Sequence, residues 1–135
     1  MKPILIVDDD EGVRTLLRRV IQDLGHTVVE AADALSALEV LEGTPVGLAL
    51  CDIRMPGRDG VWLMDQILAR FPGTPVALAT GLLEMDPTVT LRRGVVGYIV
   101  KPFNRAAVAE LLRVAAEPPS AGPIRSIDLA ALDAI

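Results

Sequence analysis

Five short runs of apolar residues recur along the chain, and they constrain the fold more than any other feature of the sequence. Each run is continuous rather than alternating with polar residues, which indicates strands buried on both faces. The runs begin about 20 to 30 residues apart, the length of a strand plus a crossover helix. They occupy residues 4–7, 27–29, 46–51, 76–79 and 98–100.

The segments between the runs carry apolar residues at helical spacing, which predicts an amphipathic helix in each gap and another after the last run. Acidic or amide residues that favour helix N-caps precede several of these segments: Asp33, Asp59, Asp86 and Asn104. In the first segment we expect one apolar face made of Val13, Leu16, Leu17, Val20, Ile21 and Leu24. Strands that alternate with helices in this way predict an α/β fold with a parallel sheet and right-handed crossovers.

The chain length decides between the two common folds of this type. With 135 residues the chain is too short for an eight-stranded barrel, which needs about 250. We therefore predict an open, doubly wound sheet of five strands with helices on both faces.

The composition excludes several classes of protein. The chain has 13 basic and 18 acidic residues, a net charge of -5, so we expect no nucleic-acid binding by this chain. No apolar run approaches the roughly 20 residues of a membrane helix, and the N-terminus does not resemble a signal peptide. The single cysteine, Cys51, excludes an intrachain disulfide and fits a reducing compartment. We expect a cytoplasmic protein with no membrane contact.

Charged and hydroxyl side chains follow the predicted strands where a ligand site is expected, beyond their carboxyl ends. Asp8 and Asp9 follow the first strand, Asp52 the third, Thr80 the fourth and Lys101 the fifth. Carboxylates brought together need a proton or a cation, and a set of oxygen ligands suits Mg²⁺. Such a site, with a lysine and a hydroxyl beside it, is suited to hold a phosphoryl group, and one of its aspartates could form an aspartyl phosphate.

Four sequence blocks at these strand ends resemble the receiver domain of bacterial two-component response regulators. They are ILIVDD at residues 4–9, CDIRMPGRDG at 51–60, ATG at 79–81 and GYIVKPF at 97–103. The resemblance covers residues 1–117 and implies a receiver domain with the flavodoxin-like strand order 2-1-3-4-5. Residues 118–135 are interpreted as a Pro-rich linker and a short apolar tail.

The resemblance implies a role for each residue of the site. Asp52 would accept a phosphoryl group from a sensor histidine kinase or a phosphotransfer protein. Thr80 and Lys101 would contact the phosphoryl oxygens, and Tyr98 would change rotamer when Thr80 moves. The protein would then be a signalling switch rather than an enzyme, with at most slow self-dephosphorylation.

The same resemblance implies a set of ligands for Mg²⁺. Asp9 and Asp52 would touch the ion directly, Asp8 would act largely through water, and Arg54 would contribute its backbone carbonyl.

Two surfaces are candidate partner sites. We expect kinase docking on the polar side of the first helix, through Arg14, Thr15 and Arg18. The face made by the fourth helix, fifth strand and fifth helix is the expected output surface and a candidate homodimer contact. Its candidate contact residues are Leu83, Met85, Val89, Val95 and Tyr98.

Two other functions compete with this interpretation. A phosphatase of the haloacid dehalogenase type would use Asp8 as its nucleophile, with Asp10 two residues later. That hypothesis gives Asp52 no role, and residues 102–105 lack the acidic pair that such enzymes carry after the lysine. A receiver-like scaffold that is never phosphorylated is the other alternative, although such scaffolds typically lack one of the site residues.

The sequence leaves the roles of Trp62 and of the tail open. Trp62 lies nearly opposite the apolar stripe of its helix, so its ring either rests on neighbouring side chains or contacts a partner. Residues 124–135 roughly follow helical spacing, so the tail either packs on this domain or a second copy, or is a truncated linker.

Overall fold

The computed structural model describes residues 2–81, 95–101 and 103–116, and the strands and helices below lie within these ranges. The strands form one parallel sheet in the order β2-β1-β3-β4-β5, so the predicted doubly wound sheet and its strand order are confirmed. The elements are β1 (Ile4–Val7), α1 (Glu11–Asp23), β2 (Val28–Ala31), α2 (Ala34–Gly43), β3 (Leu48–Asp52), α3 (Gly60–Arg70), β4 (Val76–Thr80), β5 (Val95–Val100) and α4 (Arg105–Ala115).

The strand limits differ from the apolar runs by one to three residues in four of the five strands. β1 coincides with its run, whereas β2 is shifted toward its C-terminus and β5 begins three residues before its run, at Val95. A register irregularity between Val76 and Ala77 of β4 accompanies this longer β5. The ends of these strands therefore depend on pairing with neighbouring strands, which the apolar run of one strand does not reveal.

Helices cover both faces of the sheet, each over its own hydrophobic core. On one face α2 and α3 pack against Leu5, Val7 and Leu78. On the other face α1 and α4 pack against Ile4, Ile6 and Ile99. Alternate residues of each strand serve the two cores, which explains why the runs are apolar throughout.

The apolar face predicted for α1 is wrong at one position. Leu17 and Ile21 are buried, but Leu16 is 53% exposed. Successive helical residues are separated by 100°, so a core contact centred on Leu17 and Ile21 leaves Leu16 at the edge of the apolar face.

Trp62 of α3 is partly buried and packs against the core beneath α2 and α3. The guanidinium of Arg58 lies over its ring, 4.6 Å from the ring centroid. The structure therefore supports the first of the two roles left open for Trp62, in which its ring rests on neighbouring side chains.

Three of the predicted N-caps are observed. Asp33, Asp59 and Asn104 each accept a backbone N–H from the first turn of the helix that follows. Asp10 is the N-cap of α1 and accepts from Gly12 N and from Val13 N. These bonds satisfy donors that a helix start otherwise leaves without partners.

Several predictions concern residues outside the described ranges. They are the N-cap Asp86, the helix expected between β4 and β5 with its contacts Leu83, Met85 and Val89, and the tail at residues 118–135. Among the described helices, none is long and apolar enough to cross a membrane.

Candidate functional site

Asp8 and Asp52 meet because β1 and β3 are neighbours in register. Val7 and Cys51 are Cα partners, so the next residue of each strand is an aspartate at the carboxyl edge of the sheet. Both side chains are buried, with Asp8 1% and Asp52 4% exposed. Two carboxylates buried side by side need compensating positive charge, because desolvation and mutual repulsion both disfavour their ionised forms.

Asp9 completes a cluster of three carboxylates. One oxygen from each of Asp8, Asp9 and Asp52 can be chosen so that all three lie within 4.8 Å of one another. Asp9 is exposed, so the cluster opens to solvent on its side. Hard carboxylate oxygens in an open, partly buried arrangement are the donor set that Mg²⁺ prefers, so these residues fit that ion.

Lys101, directly after β5, supplies positive charge to the cluster. Its Nζ lies 3.1 Å from Asp52 Oδ2 and 3.3 Å from Asp8 Oδ2, so one ammonium bridges the two buried carboxylates. Its backbone N–H donates to the carbonyl of Thr80 at 2.8 Å, which anchors the start of this loop to β4. Three ionised carboxylates and one ammonium have a net charge of about -2, which one divalent cation would neutralise.

The site shifts the ionisation of both partners in its central ion pair. Burial raises the pKa of Asp52, and the charge of Asp8 acts in the same direction, whereas Lys101 opposes both. Burial alone would lower the pKa of Lys101, but its hydrogen bond to Asp52 and the two carboxylate charges outweigh it, so the pKa is raised. Lys101 is therefore held as a cation beside Asp52.

Thr80 and Tyr98 lie deeper than the charged groups. Thr80 is completely buried, and its hydroxyl donates to the carbonyl of Gly81 at 3.0 Å. Tyr98 is 7% exposed and belongs to the core beneath α2 and α3. Thr80 pairs with Val100, two residues after Tyr98, so Thr80 and Tyr98 lie on the same face of the sheet.

Arg54 lies in the loop after β3, next to Asp52. Its backbone N–H donates to Asp52 Oδ1 at 3.3 Å. The residue is exposed and, with Met55, Pro56 and Asp59, helps to line an open depression of about 380 Å³.

Cys51 is fully buried in the core beneath α2 and α3, as expected for the last residue of a continuous apolar run. Burial, with a smaller contribution from the charge of Asp52, raises the pKa of its thiol to about 12. A buried neutral thiol at neutral pH is unreactive, so Cys51 serves as a packing residue.

The structure gives the three expected docking residues of α1 different surroundings. Arg14 Nε lies 3.4 Å from Glu30 Oε1, and Arg18 Nη1 donates to Glu30 Oε2 at 2.8 Å. Arg14 Nη1 also donates to the backbone carbonyl of Asp8 at 2.7 Å, and the Arg14 side chain is only 16% exposed. Thr15 is partly exposed beside them.

Sequence reasoning missed this link between α1, β2 and the acidic cluster. A signal was present, because Glu30 interrupts the apolar pattern of β2 while two arginines lie four residues apart on α1.

The fold and site define an open α/β protein with an acidic cluster, a hydroxyl and a lysine at the carboxyl edge of its sheet. The family model described as "Response regulator receiver domain" matches residues 4–113. The chain therefore belongs to the receiver domain family of two-component response regulators, a family of signalling switches.

Two curated relatives illustrate the similarity. The chain is 36% identical over 110 residues to "Response regulator protein FleR" of Pseudomonas aeruginosa, covering 81% of this chain and 23% of that protein. It is 41% identical over 104 residues to "Regulator of RpoS" of Escherichia coli, covering 76% of this chain and 31% of that protein. The chain thus spans less than a third of either relative.

A solved structure agrees in fold over nearly its whole length. The receiver domain of NtrX from Brucella abortus has a TM-score of 0.77 and 33% identity, with 83% of this chain and 96% of that chain covered.

Proposed function

We propose that this chain accepts a phosphoryl group on Asp52 from the phosphohistidine of a sensor histidine kinase or phosphotransfer protein, with Mg²⁺ as cofactor. One observation carries the proposal: the buried Asp52 carboxylate lies 3.1 Å from Lys101 Nζ, with the carboxylates of Asp8 and Asp9 beside it. A lone buried carboxylate would be costly, and this arrangement provides the charges that a phosphorylation site needs.

Asp52 acts as the nucleophile in this proposal. One of its carboxylate oxygens attacks the phosphorus atom, the bond from phosphorus to the histidine nitrogen breaks, and that nitrogen keeps the electron pair. Lys101 favours the ionised form of Asp52 against burial, and the N–H of Arg54 orients the carboxylate at 3.3 Å. Holding the nucleophile in one orientation lowers the entropic part of the barrier.

Asp9 and Asp52 would hold Mg²⁺ directly, Asp8 would hold it largely through water, and Arg54 would add its backbone carbonyl. When bound, the ion supplies positive charge that offsets the negative charge of the phosphoryl oxygens. After transfer, Lys101 would pair with a phosphoryl oxygen. The contact between its ammonium and Asp8 would remain.

The switch proposal concerns Thr80 and Tyr98. The Thr80 hydroxyl must leave the carbonyl of Gly81 to donate to a phosphoryl oxygen, and that rotation would open space on the face it shares with Tyr98. Because Tyr98 is buried, its rotamer is sensitive to such a change in packing. We propose that the surface around β5 and α4 carries the signal to a partner or a second copy. The expectation that Val95 contributes a direct contact is wrong, because its side chain is 2% exposed and packs in the core.

We further propose that the kinase docks along α1 beside the site. Thr15 and the partly exposed Arg18 would contact it, and Arg14 would contribute through its remaining exposed surface. We propose that the protein is a cytoplasmic switch that does not bind nucleic acid through this chain and that dephosphorylates itself slowly at most.

The contacts of Asp10 disfavour the phosphatase alternative. In that mechanism Asp10 would have to face the substrate, but its carboxylate accepts from Gly12 N and from Val13 N at the start of α1. Asp8 itself is held at both carboxylate oxygens, by Asp10 N and by Lys101 Nζ.

Mass spectrometry after treatment with a small phosphodonor and Mg²⁺ tests the proposal. We expect one phosphoryl group on Asp52, none on the Asp52→Asn variant, and normal labelling of Asp23→Asn, a surface aspartate remote from the cluster. Chelating Mg²⁺ should prevent labelling. Phosphate on Asp8 would instead support the phosphatase mechanism, and an unlabelled native chain would support the scaffold.

A further inference from the structure

Every polar atom of Asp8 has a hydrogen-bond partner. Its N–H donates to the carbonyl of Ala31 at 3.2 Å, and its two carboxylate oxygens accept from Asp10 N and from Lys101 Nζ. Its carbonyl accepts from Arg14 Nη1 at 2.7 Å, in the shortest of these contacts. Among the described residues, Arg14 is the one side chain seen to hold the carbonyl of Asp8.

The carbonyl of Asp8 belongs to the peptide unit that leads into Asp9. Peptide units are planar, so holding this oxygen also fixes the direction in which the backbone enters Asp9. Within the described residues nothing hydrogen-bonds the exposed Asp9 carboxylate, so its direction depends on that backbone.

Arg14 is itself held in place. Helical side chains point toward the helix N-terminus, and Arg14 accordingly reaches back over the first turn of α1 to Asp8. Glu30 of β2 contacts its Nε at 3.4 Å, and Arg18 holds the other oxygen of Glu30 at 2.8 Å. The four groups connect α1, β2 and the end of β1.

We propose that Arg14 is a positioning residue, which aims Asp9 at the cation by fixing the carbonyl of Asp8, with Glu30 holding the guanidinium in place. This inference rests on the proposed Mg²⁺ site. A positioning role and a simple charge effect predict opposite changes in Mg²⁺ affinity when Arg14 is replaced. A cation beside an acidic cluster repels Mg²⁺, so loss of its charge alone would tighten Mg²⁺ binding, whereas loss of positioning would weaken it.

Isothermal titration of Mg²⁺ into the whole chain separates the two effects. We expect Arg14→Gln to raise the Kd for Mg²⁺ about tenfold, in the range known for residues that orient metal ligands. Arg19→Gln is the matched control, because it removes the same charge from an exposed position of the same helix and leaves Arg14, Glu30 and the contact to Asp8 intact. Its Kd should stay unchanged or fall.

A second variant covers the case in which Arg14→Gln does not fold, as judged by circular dichroism. Arg14→Lys keeps the charge but replaces the two nitrogens that contact Asp8 and Glu30, Nη1 and Nε, with a single one, so its Kd should also rise, by a smaller factor. Wild-type or tighter binding in the folded Arg14 variants, or an equal loss in Arg19→Gln, would overturn the positioning role. Absence of Mg²⁺ binding by the unaltered chain would instead contradict the proposed function.

Discussion

The first residue of α3, Gly60, packs directly against the backbone of Asp52. A Cβ at Gly60 would lie 2.8 Å from the carbonyl carbon of Asp52 and 2.8 Å from the Cα of Ile53, closer than real Cβ atoms approach such atoms. The N–H of Gly60 donates to the carbonyl of Ile53 at 2.9 Å. The loop after β3 is thereby folded back, and the start of α3 lies behind the proposed phosphorylation site.

We expect Gly60→Ala to lower the free energy of unfolding by about 1–3 kcal/mol, because the added methyl must displace backbone atoms. Gly43→Ala is the matched control, since a Cβ there meets nothing within 4 Å and the residue ends a helix with ordinary backbone angles. It should be neutral or stabilise by up to about 1 kcal/mol. Urea denaturation measures both, and equal stability of the two variants would contradict the packing described.

Lys101→Met should destabilise the protein in the absence of divalent ions. It removes the ammonium between Asp8 and Asp52, and because Lys101 is 31% exposed we expect a loss of about 1–3 kcal/mol rather than the full cost of a buried pair. Mg²⁺ should then raise the Tm of the variant more than that of the native chain, because Asp8 and Asp52 of the variant lack the ammonium that partly neutralises them. Lys2→Met, at an exposed position, is the control. An equal Mg²⁺ effect on all three proteins would argue against this charge balance.

The N-cap of α2 gives a pH dependence with a defined sign. The hydrogen bond from Ser36 N lowers the pKa of Asp33 below its ordinary 3.8. Because the folded-state pKa is the lower one, the ionised cap stabilises the fold above the unfolded-state pKa, and this contribution disappears as pH falls through the folded-state pKa.

Asp33→Asn keeps a good capping group without the charge. The variant should therefore be less stable than the native chain at pH 7, and the difference should shrink in acid, below about pH 4. Denaturant titrations at several pH values measure it. A difference that stays constant with pH would show that the charge of Asp33 contributes nothing.

Truncation of two adjacent leucines of α1 should change the stability by very different amounts. Leu17 is 2% exposed, so we expect Leu17→Ala to cost about 2–4 kcal/mol. Leu16 is more than half exposed, so Leu16→Ala should change stability by less than about 0.5 kcal/mol. Thermal and urea unfolding of the two variants would reveal a wrongly assigned helix face if their losses were equal.

The sequence by itself determined the layers of the fold and which residues follow the strands. Runs apolar at every position can be buried only between two layers of helices, and the carboxyl ends of parallel strands share one edge. The sequence alone therefore assigns Asp8, Asp52 and Lys101 to that edge.

Only the tertiary structure decided the contacts that cross between elements. The pairing of Val7 with Cys51, the exposure of Leu16 and the bond from Arg14 to the carbonyl of Asp8 depend on the register of strands and on the rotation of α1. The exclusion of a side chain at Gly60 likewise depends on how α3 returns to β3. Local sequence fixes periodicity and chemistry, but these contacts join residues whose relative position is set by packing throughout the domain.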